Sequence, residues 1–144
     1  MNAPRSYLLV DGHSVIHAWP ELRRDQLVAS RRHLARTGLL QRLRHLQDMT
    51  GTQVVVVFDG TQSKLNEERE KDGLQIIYAD SGTTADNVIE RLAAKYARQH
   101  PMRVASADGM VRETIHAFGA DWLSPEMLRR LCEDAEKDMR TRLG

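Results

Sequence analysis

One cysteine, Cys132, stands in the whole 144-residue chain. That excludes an internal disulfide framework and a zinc site built on paired cysteines, so zinc is not expected. No apolar run approaches the roughly 20 residues that a membrane-spanning helix needs. The opening Met1-Asn2-Ala3-Pro4-Arg5 has no apolar stretch of the secretory kind. No membrane partner is therefore expected, and the cytoplasm is the default location. Glycine-rich nucleotide loops of the Walker or dinucleotide type are missing. So are repeats, low-complexity tracts and linkers, and residues 1–144 read as a single domain able to bury one core.

What is present is an ordinary globular composition, 41% hydrophobic and 28% charged, with a net charge of +1. The charge is unevenly spread. Residues 1–50 hold eight Lys/Arg against four Asp/Glu, whereas residues 59–90 hold three against eight. An acidic focus beside a basic flank suits a metal centre next to a phosphate-bearing ligand, and also suits two ordinary solvated faces.

Short apolar runs alternate with stretches of helical periodicity. Tyr7–Val10, Val54–Phe58, Ile76–Tyr78 and Arg103–Ala105 read as strands, with Asp121–Leu123 as a candidate edge strand. Runs that are continuously apolar fit strands covered on both faces. Leu39, Leu40, Leu43, Leu46 and Met49 recur at helical spacing, as do Val88, Ile89, Leu92, Ala93 and Tyr96. Met110–Phe118 reads as a brief helix. Leu128, Leu131, Cys132, Ala135 and Met139 mark a last helix opened by Ser124-Pro125. The pattern predicts an α/β sandwich, three layers α/β/α around a mainly parallel sheet. The polar connection Gly60–Gly73 reads as a partly helical surface loop or a flap over a site.

Three of the apolar runs lead directly to an aspartate: Asp11, Asp59 and Asp108. In an open parallel sheet, ligands bind beyond the carboxyl ends of the strands, so all three acids should project at one edge. Asp86, in "TTADNVIERL", joins them from the first turn of the following helix. Clustered carboxylates repel one another unless protons or a cation neutralise them. Hard cations such as Mg²⁺ or Mn²⁺ suit such oxygens, and a site of this kind acts on phosphodiesters. Each aspartate has a plainer reading too, as a helix cap or turn former. Asp86, three residues after Thr83, would then complete a capping box.

The segments "LLVDGHSVIHAWPEL", "VVVVFDG", "TTADNVIERL", "VASAD" and "GADWLSPEML" resemble, in order and spacing, the YacP-like branch of the NYN domains. These are PIN-like, metal-dependent ribonucleases. The resemblance runs from about Tyr7 to Leu128. It implies a PIN-like fold and endonucleolytic cleavage of RNA with Mg²⁺ or Mn²⁺. The family's acidic positions fall on Asp11, Asp59, Asp86 and Asp108. On this reading Asp11, Asp86 and Asp108 hold the metal, and Asp59 is a further ligand or orients the attacking water. His13, Ser14, Thr84 and Ser106 are expected to contact substrate, with Arg31 and Arg32 on RNA phosphates. Messenger RNA is the implied substrate and the ribosome an implied partner.

The chain departs from the family at three places. Asp11-Gly12-His13-Ser14 stands where Asp-Gly-Tyr-Asn is usual, Ser106-Ala107-Asp108 where Thr-Ser-Asp is usual, and Asp121-Trp122 near a usually basic position. A serine hydroxyl reaches less far than an asparagine amide. A catalytically weakened module that still binds RNA or the ribosome is thus the competing function. A receiver-type phosphoacceptor would need a lysine after Val104-Ala105-Ser106, and a haloacid-dehalogenase phosphatase an aspartate at position 13; neither is present. Arg23, Arg24, Arg31, Arg32, Arg36, Arg42 and Arg44, and Lys64, Arg69 and Lys71, are basic candidates for RNA contact or for solvated faces. Trp19, Trp122 and His17 read as packing or surface groups, and Cys132 as core.

Overall fold

The computed structural model describes residues 5–60, 67–69, 73–80 and 82–143. These form six strands: β1 (Tyr7–Asp11), β2 (Gln53–Asp59), β3 (Glu67–Arg69), β4 (Gln75–Ala79), β5 (Met102–Ala105) and β6 (Asp121–Leu123). Their order across the sheet is β3-β4-β2-β1-β5-β6. Five of them, β4-β2-β1-β5-β6, are parallel, and β3 pairs antiparallel with β4. The helices are α1 (Gly12–Ala18), α2 (Pro20–Gln26), α3 (Arg32–Thr50), α4 (Ala85–Tyr96), α5 (Gly109–Ala117) and α6 (Pro125–Leu143), with a 3-10 turn at Ala29–Arg31.

Strand side chains alternate between faces, and the core divides accordingly. Leu8, Val10, Val54, Val56, Phe58 and Ile76 pack against α1, α2, α3 and α6. Leu9, Val55 and Val57 pack against α4 and α5 on the other face. A strand buried on both faces needs apolar residues at every position, which is why β2 reads Val-Val-Val-Val-Phe. The three-layer α/β/α arrangement with a parallel centre is the one expected from the sequence.

Two details differ from the sequence reading. The connection Gly60–Gly73 contains β3, paired through Glu67–Ile77, Glu68–Ile76 and Arg69–Gln75. Its charged tripeptide has no apolar alternation to signal a strand, and its edge position explains why it needs none. Lys64 and Lys71, in the same connection, lie outside the described residues. The arginine-rich first helical region is broken into α1, α2, the 3-10 turn and α3. Trp19 makes the first of these breaks. It is fully buried at the α1–α2 corner and donates its indole N–H to the Pro125 carbonyl at the start of α6, 2.9 Å away. Pro20 then opens α2, where a missing N–H costs nothing. Trp19 is therefore a core anchor. Arg42 lies over its ring and pairs with Glu136 and Glu21, joining α3 to α6 and α2.

The topology also places the site. From β1 the chain passes to α1 on one face; from neighbouring β5 it passes to α5 on the other. Beyond the carboxyl ends of β1 and β5 the connections thus diverge and open a crevice.

Candidate active site

Asp11 ends β1 and Asp59 ends β2. Asp108 is the third residue after β5, past a buried Ser106, and Asp86 sits in the first turn of α4. Together with His13, His17 and Thr84 the four acids line one cleft of about 440 Å³ at the carboxyl edge of the sheet.

The capping role and the site role turn out to be compatible. Asp11 Oδ1 accepts the Ser14 N–H at 3.3 Å as N-cap of α1, and Asp108 Oδ1 accepts the Met110 N–H at 2.9 Å as N-cap of α5. Asp59 Oδ1 accepts the Ala85 N–H at 2.7 Å, tying the end of β2 to the start of α4. Each carboxylate uses one oxygen for the backbone and keeps the other. The second oxygen of Asp59 lies 3.6 Å from His13 Nδ1. Asp86 caps nothing: Thr84 is the N-cap of α4, accepting from Asn87 N–H at 3.1 Å, so the capping box expected from Thr83 does not form.

Asp86 instead faces the other acids. Burial, then its hydrogen bond and charge contact with Asp11, then those with Asp108, push its carboxyl from 3.8 up to about 7. Asp11 is also raised, first by burial and then by the charges of Asp59 and Asp108, against the lowering hydrogen bonds from Ser14 and Asp86. Asp86 thus lies within hydrogen-bond reach of Asp11 and Asp108, whose proximity favours its protonated form, and Asp59 is close enough to be felt by Asp11. Among the described residues no three His, Cys, Asp or Glu side chains already stand as a metal-ligand set. The donor chemistry nonetheless fits a hard divalent cation: carboxylate oxygens predominate, no thiolate is near, and excess negative charge is held in check only by protons.

Ser14 lines the cleft and also has a structural role. Its Oγ accepts the Ala107 N–H at 2.6 Å, 93 residues away, clasping the β1–α1 turn to the β5–α5 turn. Ser106 Oγ accepts the Asp108 N–H at 3.1 Å and is fully buried, so it shapes the same turn from within. Arg31 and Arg32 do not line the cleft. Arg31 Nε pairs with Asp25 at 2.9 Å, and Arg32 Nε donates to the Gln26 carbonyl at 3.1 Å. Because α3 runs antiparallel to β2, both still lie toward the carboxyl side of the sheet. His17, read from sequence as a packing or surface group, lines the cleft. Its spacing of four from His13 on α1 was the available signal.

The family description that matches the chain is the YacP-like NYN domain, over residues 8–143. The chain belongs to the YacP-like NYN family. The uncharacterised protein YacP of Bacillus subtilis (strain 168) is 34% identical over 140 residues, which are 94% of this chain and 80% of that protein. The crystal structure of Rae1 (YacP) from Bacillus subtilis superimposes with a TM-score of 0.78 at 33% identity, covering 95% of this chain and 79% of that one. A point mutant of the same protein gives 0.79 at 32% identity over 94% and 79%. YacP-like NYN membership is consistent with a nuclease-type, RNA-related function, and the acid cleft lies where such a function would need it. No helix among the described residues is long and apolar enough to cross a membrane.

Proposed function

We propose that this chain is a divalent-metal-dependent endoribonuclease, a cytoplasmic hydrolase of RNA phosphodiesters with messenger RNA as its substrate and the ribosome as a partner. The observation that carries this reading is the meeting of Asp11, Asp59, Asp86 and Asp108 in one cleft at the carboxyl edge of the sheet, with Asp86 in hydrogen-bond and charge contact with Asp11 and Asp108. Asp11, Asp86 and Asp108 would hold Mg²⁺ or Mn²⁺, which supplies Lewis-acid charge for the phosphodiester and acidifies water. The Asp86 carboxyl, raised to about 7 by burial and its acid neighbours, would be ionised where it served as a ligand. Asp59, held by the Ala85 N–H, keeps its second oxygen and the adjacent His13 for orienting water and substrate. The N-termini of α4 and α5 at the cleft favour a phosphate group there.

Cleavage of RNA by the wild type with Mg²⁺ or Mn²⁺, compared with Asp11→Asn and Asp86→Asn, tests the reading. Cutting that depends on the cation and falls at least about tenfold in each variant is expected. Equal cutting by all three proteins would remove the mechanism. The second reading, an RNA- or ribosome-binding module with weakened catalysis, is favoured by one observation: the Ser14 hydroxyl is already engaged by Ala107. Binding without cutting by the wild type selects it.

A further inference from the structure

The sheet has another opening, at the end opposite the acids. The buried stripe of α4 is Ala85, Ile89 and Ala93, continued by Ala97 just beyond the helix. Three of these four positions carry only a methyl group, so the helix settles close to the strands beneath it. The larger Leu92 and Tyr96 beside the stripe are half-buried and cover the β4 side only in part. A cavity of about 300 Å³ remains there, with Tyr7, Ile77 and Met102 contributed by the strands and Leu92, Tyr96 and His100 by α4 and the turn after it. Tyr7 and Met102 are the first residues of β1 and β5. Four residues of β1 separate Tyr7 from Asp11, about 13 Å of strand, so this cavity is distinct from the acid cleft.

Its chemistry is selective. Among the described residues no Asp, Glu, Lys or Arg lines it. Tyr7 meets His100 edge to face, ring centroids 5.2 Å apart. His100 Nδ1 is buried with no hydrogen-bond partner among the described residues. A buried polar atom without a partner is uncommon in native proteins and points to a group that satisfies it. Apart from Gln75, which also lines the cavity, its walls are apolar and aromatic, and such walls with a few placed polar groups are the make-up of small-molecule sites. An ion would find no counter-charge here, and a plain hydrocarbon would leave Nδ1 unpaired. We propose that the cavity binds a small neutral aromatic heterocycle of nucleobase size, its ring against Leu92 and Tyr96 and a ring nitrogen or N–H hydrogen-bonded to His100 Nδ1. This site is independent of the nuclease reading.

Adenine and benzimidazole are suitable probes, with toluene as an aromatic ring lacking a polar atom. In wild-type protein the heterocycles should shift the ring NMR signals of Tyr7 and Tyr96, leave those of His13 and His17 in place, and raise the melting temperature by about 2 °C at saturation. Leu92→Trp, which fills the cavity, should abolish these shifts. His100→Phe should weaken the heterocycles about fivefold, the worth of one hydrogen bond, and leave toluene unchanged. Absence of Tyr7 and Tyr96 shifts in the wild type overturns the proposal, as do shifts confined to the cleft histidines or toluene binding as tightly as benzimidazole.

Discussion

Each strand-end aspartate of β1 and β2 is followed by glycine, and the reason is steric. A Cβ on Gly12 would overlap the Phe58 ring, lying 2.6 Å from Cδ1, and one on Gly60 would lie 2.9 Å from Tyr78 Cβ. Phe58 in turn stacks on Tyr78 at 5.9 Å, meets the His13 ring edge-on at 5.5 Å and lies under Arg36. The Phe58 ring thus spaces the β1–α1 turn from the end of β2, and with it Asp11 from Asp59. Gly12→Ala should cost about 1–3 kcal/mol by overpacking, read as a lower urea midpoint, and should depress RNA cleavage further than the lost fold accounts for. Phe58→Leu in the same chain should restore part of both. An unchanged midpoint in Gly12→Ala would show that the ring yields freely.

Asp86 makes a second prediction at this scale, in metal-free protein. Its folded pKa of about 7 lies above the unfolded value near 3.8. The folded chain keeps a proton that the unfolded chain releases, so this group's stabilisation is full below about pH 4 and is lost as pH rises through 7. Discounted for its half-exposed position, the loss is about 1–2 kcal/mol, or roughly 3–6 °C in melting temperature. With chelator present, Asp86→Asn should melt higher than wild type at pH 8 and should flatten the decline between pH 4 and 7. A wild-type-minus-variant difference that does not change with pH would refute the raised Asp86 carboxyl.

Among the elements, α6 is tied at its start by one buried distant anchor, beside its ion pairs to α2 and α3. Trp19 on the α1–α2 corner holds the Pro125 carbonyl, 106 residues away, and packs with Leu128 and Cys132 in one core cluster. Trp19→Phe removes the indole N–H and part of the buried volume. It should lower stability by about 1–3 kcal/mol in chemical denaturation; a loss below about 0.5 kcal/mol would mean that α6 is held by its apolar stripe alone. The helices and parallel strands were legible from the sequence because their signals are local: continuous apolar runs, recurring leucines and the Ser124-Pro125 start. Strand β3 was not, since Glu67–Arg69 is defined only by pairing with β4. The Ala18-Trp19-Pro20 triplet was visible, but its partner on α6 was not.

Across the whole molecule, charge is arranged around the carboxyl edge of the sheet. The four acids are gathered in the cleft, and Arg31 and Arg32, at the start of α3, are exposed toward the same side. RNA affinity should fall steeply with salt, and Arg31→Ala with Arg32→Ala should reduce the slope of log affinity against log salt by about 1–2. An unaltered slope would show that both arginines serve only Asp25 and Gln26, their partners on α2.

The order of apolar runs determined the fold class, because burial on both faces of a parallel sheet writes itself into consecutive residues; strand ends pointed to Asp11, Asp59 and Asp108, and the resemblance to the family completed the set with Asp86. Tertiary structure alone decided that burial and the neighbouring acids raise the Asp86 carboxyl, that Ser14 clasps Ala107 and that Arg31 and Arg32 stand outside the cleft. Those outcomes depend on distances between residues far apart in the chain, and electrostatic coupling and hydrogen bonding exist only once folding has set those distances.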